Sequence, residues 1–314
     1  MNALRNTSTN LHLYNILSNL SNSTMKYIHH HPNIKLFDVT LRDGLQTQKQ
    51  MYSIQEKYDI YKNIVHQYNP ESIEIGSIVN KKVLPQLANT IELFNYIQNQ
   101  EYDNLKPNLY VLTPNSKSLQ IALDNKMMNF SFITSASNAF QLKNTKQSLL
   151  ETRKSLKVMF DIVKQSNKNF TLPSESHLIK LYLSCIDECP IGGRIQLSDI
   201  VEEIMHYYVN HNDNIDELCL SDTCGTLKYD RFKIIINTLL EYYHIEPDKL
   251  SLHLHVCKDN TTQVSSIIQY AMSKNILKFD VSYFENMGGC SVTMGANKLN
   301  GNLTYEQLQS SIEY

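Results

Sequence analysis

The chain has 314 residues, 42% of them hydrophobic and 19% charged, with a formal net charge of −2. That is enough apolar material for a large core, and α/β barrels of this length are commonly one domain. The near-neutral balance argues against partners recognised through bulk charge, so neither nucleic acid nor an anionic membrane is expected, and no apolar run reaches the ~20 residues of a membrane span.

Residues 1–33 are rich in Asn and Ser and contain no acidic residue. A Ser-rich, acid-free start has the composition of an organelle transit peptide, but only Arg5 and Lys26 precede the HHHP run, which is poor for an Arg-rich presequence. The segment is expected to be a flexible N-terminal extension, and 34–314 the folded domain. From Ile34 onward, short runs rich in β-branched and aromatic residues alternate with longer amphipathic stretches. The expected strands are 34–39, 72–76, 108–113, 128–134, 178–184, 217–221, 250–256 and 277–282. Between them, VEEIMHYYV (201–209) and RFKIIINTLLEYY (231–243) repeat apolar residues at helical spacing. Eight strands alternating with helices, without a Gly-rich dinucleotide turn after the first, predict a (β/α)8 TIM barrel rather than a doubly wound sheet. The six cysteines follow neither a disulfide framework nor paired CxxC units, so the thiols are expected to be reduced, in an intracellular setting, cytoplasmic or mitochondrial.

In such a barrel the chemistry sits where strands end. Thr40-Leu41-Arg42-Asp43-Gly44-Leu45-Gln46 follows the first strand; an Arg beside an Asp is expensive to bury unless paired or bound, though Asp-Gly is also a common turn. In strand seven, His253 and His255 are two apart and share a face, with Leu252 and Leu254 expected to face the helices. Alone, either cluster is as easily an ion pair or two satisfied imidazoles. The barrel brings both to one rim, where Asp43, His253 and His255 make a two-histidine, one-carboxylate site suited by ligand type to Fe(II), Mn2+, Mg2+ or Zn2+. Glu74, inside the apolar second strand, needs a cationic partner, for which Arg42 is the candidate. Ser221, Asp222 and Thr223 end strand six. Lys143, in the loop after strand four, either meets a phosphate or faces solvent. Gly288-Gly289-Cys290 follows strand eight, where a thiol can move a proton or simply be buried.

These motifs run in an order that resembles hydroxymethylglutaryl-CoA lyase, within the wider family of TIM-barrel metallolyases and Claisen-type synthases. The match covers LRDGLQ (41–46), IEIGS (73–77), VLPQL (83–87), VLTPN (111–115), SASNAF (135–140) with KN (143–144), LSCIDECP (183–190), LSDTCG (220–225), HLH (253–255), GGC (288–290) and GNLTYEQL (301–308). The resemblance implies Mg2+ or Mn2+ on Asp43, His253, His255 and Asn302. It implies that Arg42 stabilises an enolate, that Cys290 transfers a proton, and that Glu74, Asp222 and His253 belong to the catalytic group. It sets Gln46, Ser77, Thr223, Lys143 and Asn144 against an acyl-CoA substrate, and it points to a homodimer.

Four features depart from the pattern. Val256 follows His255 where the family has Asp or Asn, removing an expected hydrogen bond behind the histidines. The loop reads GGCSVT instead of GGCPYA. About three extra residues around Lys298-Leu299-Asn300 make Asn300 a rival to Asn302. The chain stops at Tyr314, where family members usually continue through further helices. The expected activity is cleavage of 3-hydroxy-3-methylglutaryl-CoA to acetyl-CoA and acetoacetate. The alternatives are a related aldolase or Claisen-type acyl-CoA enzyme, and a degenerate barrel kept as a binding protein.

Overall fold

The computed structural model describes residues 33–100, 107–172, 176–289, 292 and 301–313. The expected extension 1–33, apart from Asn33, and the candidates Cys290 and Asn300 lie outside the described residues. Eight parallel strands close into a barrel: β1 (Lys35–Asp38), β2 (Ser72–Ser77), β3 (Asn108–Leu112), β4 (Asn129–Ser135), β5 (Ile179–Ser184), β6 (Glu217–Ser221), β7 (Leu250–His253) and β8 (Lys278–Val281). Each strand pairs with its sequence neighbours, and β8 closes the ring on β1 in the register Lys35↔Lys278 to Asp38↔Val281. This is the expected (β/α)8 barrel. β2 and β5 are buried at every position, as strands covered on both faces must be.

The helices between strands begin where the sequence supplies caps. Ser53 and Glu56 form a reciprocal capping box on the helix Ile54–Tyr68, and Ser148 and Glu151 do the same for Leu149–Asn167. The last described helix, Tyr305–Ile312, starts from a Thr304–Gln307 box. It is held to the barrel by the Tyr305 hydroxyl, which donates to Asp38 at 2.9 Å, and by the Tyr305 ring stacked on Tyr68. Among the described residues no helix is long and apolar enough to cross a membrane, and the five cysteines, Cys290 aside, form no disulfide.

Polar side chains cross the barrel interior. Lys180 of β5 reaches Asp280 of β8, and Tyr182 of β5 reaches Glu74 of β2. Neither strand pair is adjacent in the ring, so both contacts pass through the centre. Alternation along β5 sends Lys180, Tyr182 and Ser184 inward, with Ile179, Leu181 and Leu183 facing the helices.

Strand seven differs from its expected span. β7 stops at His253, and the carbonyl of Leu254 is taken by the amide of Leu303. His255–Val256 then pairs antiparallel with Gly301–Asn302, in the register His255↔Asn302. The returning segment, far along the chain, captures these backbone groups and ends the barrel strand one residue before Leu254.

Candidate active site

The chain leaves β1 through a single π-helical turn, Thr40–Gly44, with all five residues buried. The Val39 carbonyl accepts from both the Asp43 and Gly44 amides, at 2.8 and 3.1 Å. This turn sets Arg42 and Asp43 over the C-terminal mouth of the barrel. Arg42 donates through Nη1 to Asp43 and through Nε to Glu74 at 2.5 Å, and its guanidinium lies 5.1 Å above the Tyr182 ring. The charge partner that Glu74 required is therefore Arg42. Burial alone would raise the Asp43 carboxyl, but Arg42, then His253 and His255, hold it well below the usual carboxylate range.

His253, His255 and Asp43 converge, each buried, with one ligand atom from each within 4.8 Å of the others. The Nδ1 of His253 meets Asp280 Oδ2 at 3.0 Å, and the Nδ1 of His255 meets the Thr223 carbonyl at 3.2 Å. Both partners can only accept, so both Nδ1 atoms carry the hydrogen. The two Nε2 atoms face each other at 3.2 Å, within hydrogen-bond distance. Burial, then the neighbouring His253, pushes His255 down to about 4, so it is neutral at physiological pH. The absence of Asp or Asn at position 256 does not leave His255 unsupported, because the Thr223 carbonyl takes that task.

Across the ribbon from His255, Asn302 is 2% exposed; its amide makes no hydrogen bond of regular geometry and interacts with the His255 ring. Buried amides are rarely left this way without a ligand. Gly288, at φ +104°, makes room for it, since a Cβ there would stand 2.2 Å from Asn302 Nδ2. The next residue ties this loop to the carboxylate: the Gly289 amide donates to Asp43 Oδ2 at 2.9 Å. Gln46 donates to both Asp43 Oδ1 and the Gly289 carbonyl, at 2.7 and 3.1 Å. Two converging imidazole nitrogens, an ionised carboxylate and a buried amide oxygen fit a divalent cation.

A cleft of about 610 Å3 opens from this cluster. Arg42, Asp43, His253 and His255 line it, together with Gln46, Ser77, Thr223 and Asn144 and the exposed Lys143 and Lys146. Two expected acidic residues stand elsewhere. Glu74 is fully buried behind Arg42 and does not line the cleft. Asp222 is turned away: its carboxylate accepts from the Thr226 and Leu227 amides, each at 3.1 Å, and organises the loop that presents the Thr223 carbonyl to His255. Burial pushes its carboxyl up to about 7. Asp222, expected in the catalytic group, is held here by the amides of the loop that carries Thr223. The sequence reading also overlooked Lys180, Tyr182 and Asp280, whose signal was polar residues on the inward face of otherwise apolar strands.

Fold and site together define a (β/α)8 barrel with a candidate divalent-metal centre at the C-terminal rim. The HMGL-like family model matches residues 33–274, and the chain belongs to that family. It is 26% identical to the mitochondrial hydroxymethylglutaryl-CoA lyase of Arabidopsis thaliana over 88% of this chain and 53% of that one, so the chain spans about half the length of that relative. It is 27% identical to the cytoplasmic 3-hydroxy-3-methylglutaryl-CoA lyase of Rattus norvegicus over 88% of this chain and 73% of that one. Among solved structures, the hydroxymethylglutaryl-CoA lyase of Pseudomonas aeruginosa superposes with a TM-score of 0.74 at 22% identity, covering 89% of this chain and 85% of that one. An HMG-CoA lyase from Acinetobacter baumannii, solved with coenzyme A and 3-methylmalate, gives 0.72 at 23%, covering 89% and 83%.

Proposed function

We propose that the protein is a divalent-metal carbon–carbon lyase that cleaves 3-hydroxy-3-methylglutaryl-CoA to acetyl-CoA and acetoacetate. The observation that carries this reading is the convergence of Asp43 with two imidazoles beside Arg42, all lining one cleft. Membership of the HMGL-like family and the coenzyme A complex of the Acinetobacter relative support the substrate class. The residues that would hold Mg2+ or Mn2+ are Asp43, His253 and His255, with the Asn302 amide oxygen as the fourth.

Cleavage breaks the C2–C3 bond of a 3-hydroxy thioester. The 3-hydroxyl gives up its proton and becomes the ketone of acetoacetate, and the bonding pair moves to C2 and the thioester carbonyl as an enolate. A bound divalent ion supplies acidity to the hydroxyl. Arg42 is fixed on two sides by Asp43 and Glu74, so its guanidinium needs no reorganisation to meet the developing enolate charge. Glu74, with the Tyr182 hydroxyl donating to it at 3.2 Å, acts through Arg42. Protonation at C2 then gives acetyl-CoA; the resemblance assigns it to Cys290. Lys143 and Lys146, both exposed and both lining the cleft, suit the phosphates of coenzyme A. A cytoplasmic or mitochondrial setting and a homodimer belong to the same reading.

The test is turnover. Purified protein incubated with 3-hydroxy-3-methylglutaryl-CoA and Mg2+ or Mn2+ is expected to release acetoacetate and acetyl-CoA in equal amounts, and to stop when EDTA is added. Turnover only of a 2-oxo acid, or none with either metal, would contradict the reading.

A further inference from the structure

We propose that Asp280 is a positioning residue that fixes the tautomer of His253, and that Lys180 in turn fixes Asp280. The inference rests on the metal-ligand reading of His253 and adds how the protein keeps that ligand in its binding form. Asp280 sits within β8 and is 2% exposed. Its two oxygens face different sides: Oδ1 accepts from Lys180 Nζ at 2.5 Å, and Oδ2 faces His253 Nδ1 at 3.0 Å and also accepts from Cys219 Sγ at 3.7 Å. Lys180 arrives from the other side of the barrel and is 1% exposed. Its ammonium also pairs with Glu217 and sits 3.7 Å from the centre of the Phe37 ring. A carboxylate can only accept, so the ring nitrogen facing it carries the hydrogen, and Nε2 presents its lone pair to Asp43 and His255. His255 owes the same arrangement to a backbone carbonyl. His253 is therefore the ligand whose tautomer a side chain sets.

The substitution Asp280→Asn separates this role from simple packing. The new side chain has one acceptor oxygen, and the Lys180 ammonium can be met only by that oxygen. Its amide N–H then faces His253 Nδ1, which must accept, and the ring hydrogen moves to Nε2, where the cation should bind. Glu217 remains as a counter-charge for Lys180. Adding Lys180→Met releases the amide oxygen to turn back to His253.

The experiment compares wild type, Asp280→Asn and Lys180→Met/Asp280→Asn. Long-range 1H–15N spectra of metal-free, histidine-labelled protein read the tautomer, with the His253 signal assigned from its loss in His253→Gln, and Mn2+ affinity is measured by calorimetry. Wild type is expected to show His253 as Nδ1–H. Asp280→Asn is expected to show Nε2–H and bind Mn2+ roughly 10–100-fold more weakly. The double variant is expected to regain the Nδ1–H signature and most of the affinity. Wild type showing Nε2–H overturns the proposal, even if no variant folds. So does Asp280→Asn with an unchanged tautomer, and a double variant no better than the single overturns the part played by Lys180. An Nδ1–H wild type that binds no Mn2+ supports the positioning role while refuting the metal reading itself.

Discussion

The Nε2 atoms of His253 and His255 face each other at 3.2 Å, while each ring's Nδ1 is committed to its own acceptor. With both rings neutral and no ion bound, two buried lone pairs would confront one another, a cost that binding removes. His255→Gln is therefore expected to leave the melting temperature of the metal-free protein unchanged or higher, and to abolish the rise that Mn2+ produces in wild type. Calorimetric melts with and without Mn2+ check both halves. A variant that melts lower without metal and still gains stability from it would contradict the arrangement.

Arg42 serves fold and chemistry at once, and a second substitution separates them. Arg42→Gln leaves Glu74 buried without its cation, which is expected to cost about 3–5 kcal/mol. Arg42→Gln/Glu74→Gln should recover most of that stability and none of the turnover, with kcat still roughly 100–1000-fold below wild type. Denaturant melts and single-turnover rates of the three proteins decide it.

Gly288 tests the fourth ligand. Its φ of +104° already disfavours any side chain, and a Cβ would stand 2.2–2.6 Å from the Asn302 amide. Gly288→Ala is expected to displace Asn302 and weaken Mn2+ binding roughly 10–100-fold, with a smaller effect on melting. Unchanged Mn2+ affinity would remove Asn302 from the site.

Asp38 carries the pH dependence of the fold. Burial, opposed by hydrogen bonds from Thr40 and Tyr305, pushes its carboxyl from 3.8 up to about 7. A carboxyl raised on folding contributes stability that is fully present below pH 3.8 and is lost as pH rises through 7. Asp38→Asn carries no such dependence. Its melting temperature relative to wild type should therefore climb between about pH 4 and about pH 8, by at most roughly 4 kcal/mol in free energy. Parallel melting curves across that range would show that Asp38 is not held protonated. Asp222, raised in the same way, is common to both proteins and cancels in the difference.

The strands were legible because a barrel strand covered on both faces must read as a short, nearly continuous apolar run. The metal trio was legible because two histidines two residues apart stand at the end of one barrel strand, and closure of the barrel puts Asp43 beside them. Asp280 and Lys180 were not. Both sit within strands, where a search for function at strand ends passes over them, and their contact crosses the barrel between residues 100 apart in sequence. The break at Leu254 was equally hidden, because its backbone partner, Leu303, lies in the returning segment. Asp222 stood at a strand end and invited a catalytic role, but position alone does not say which way a carboxylate turns. The turn residues that follow it, through Gly225, were the available sign that it would cap its own loop.

The claim on which the rest depends is the metal centre, and anomalous diffraction at the manganese edge from crystals soaked in Mn2+ tests it most directly. A single strong peak within bonding distance of Asp43, His253 Nε2, His255 Nε2 and Asn302 Oδ1 is the expected result. A peak elsewhere, or none at saturating Mn2+, would contradict the site and the lyase chemistry built on it.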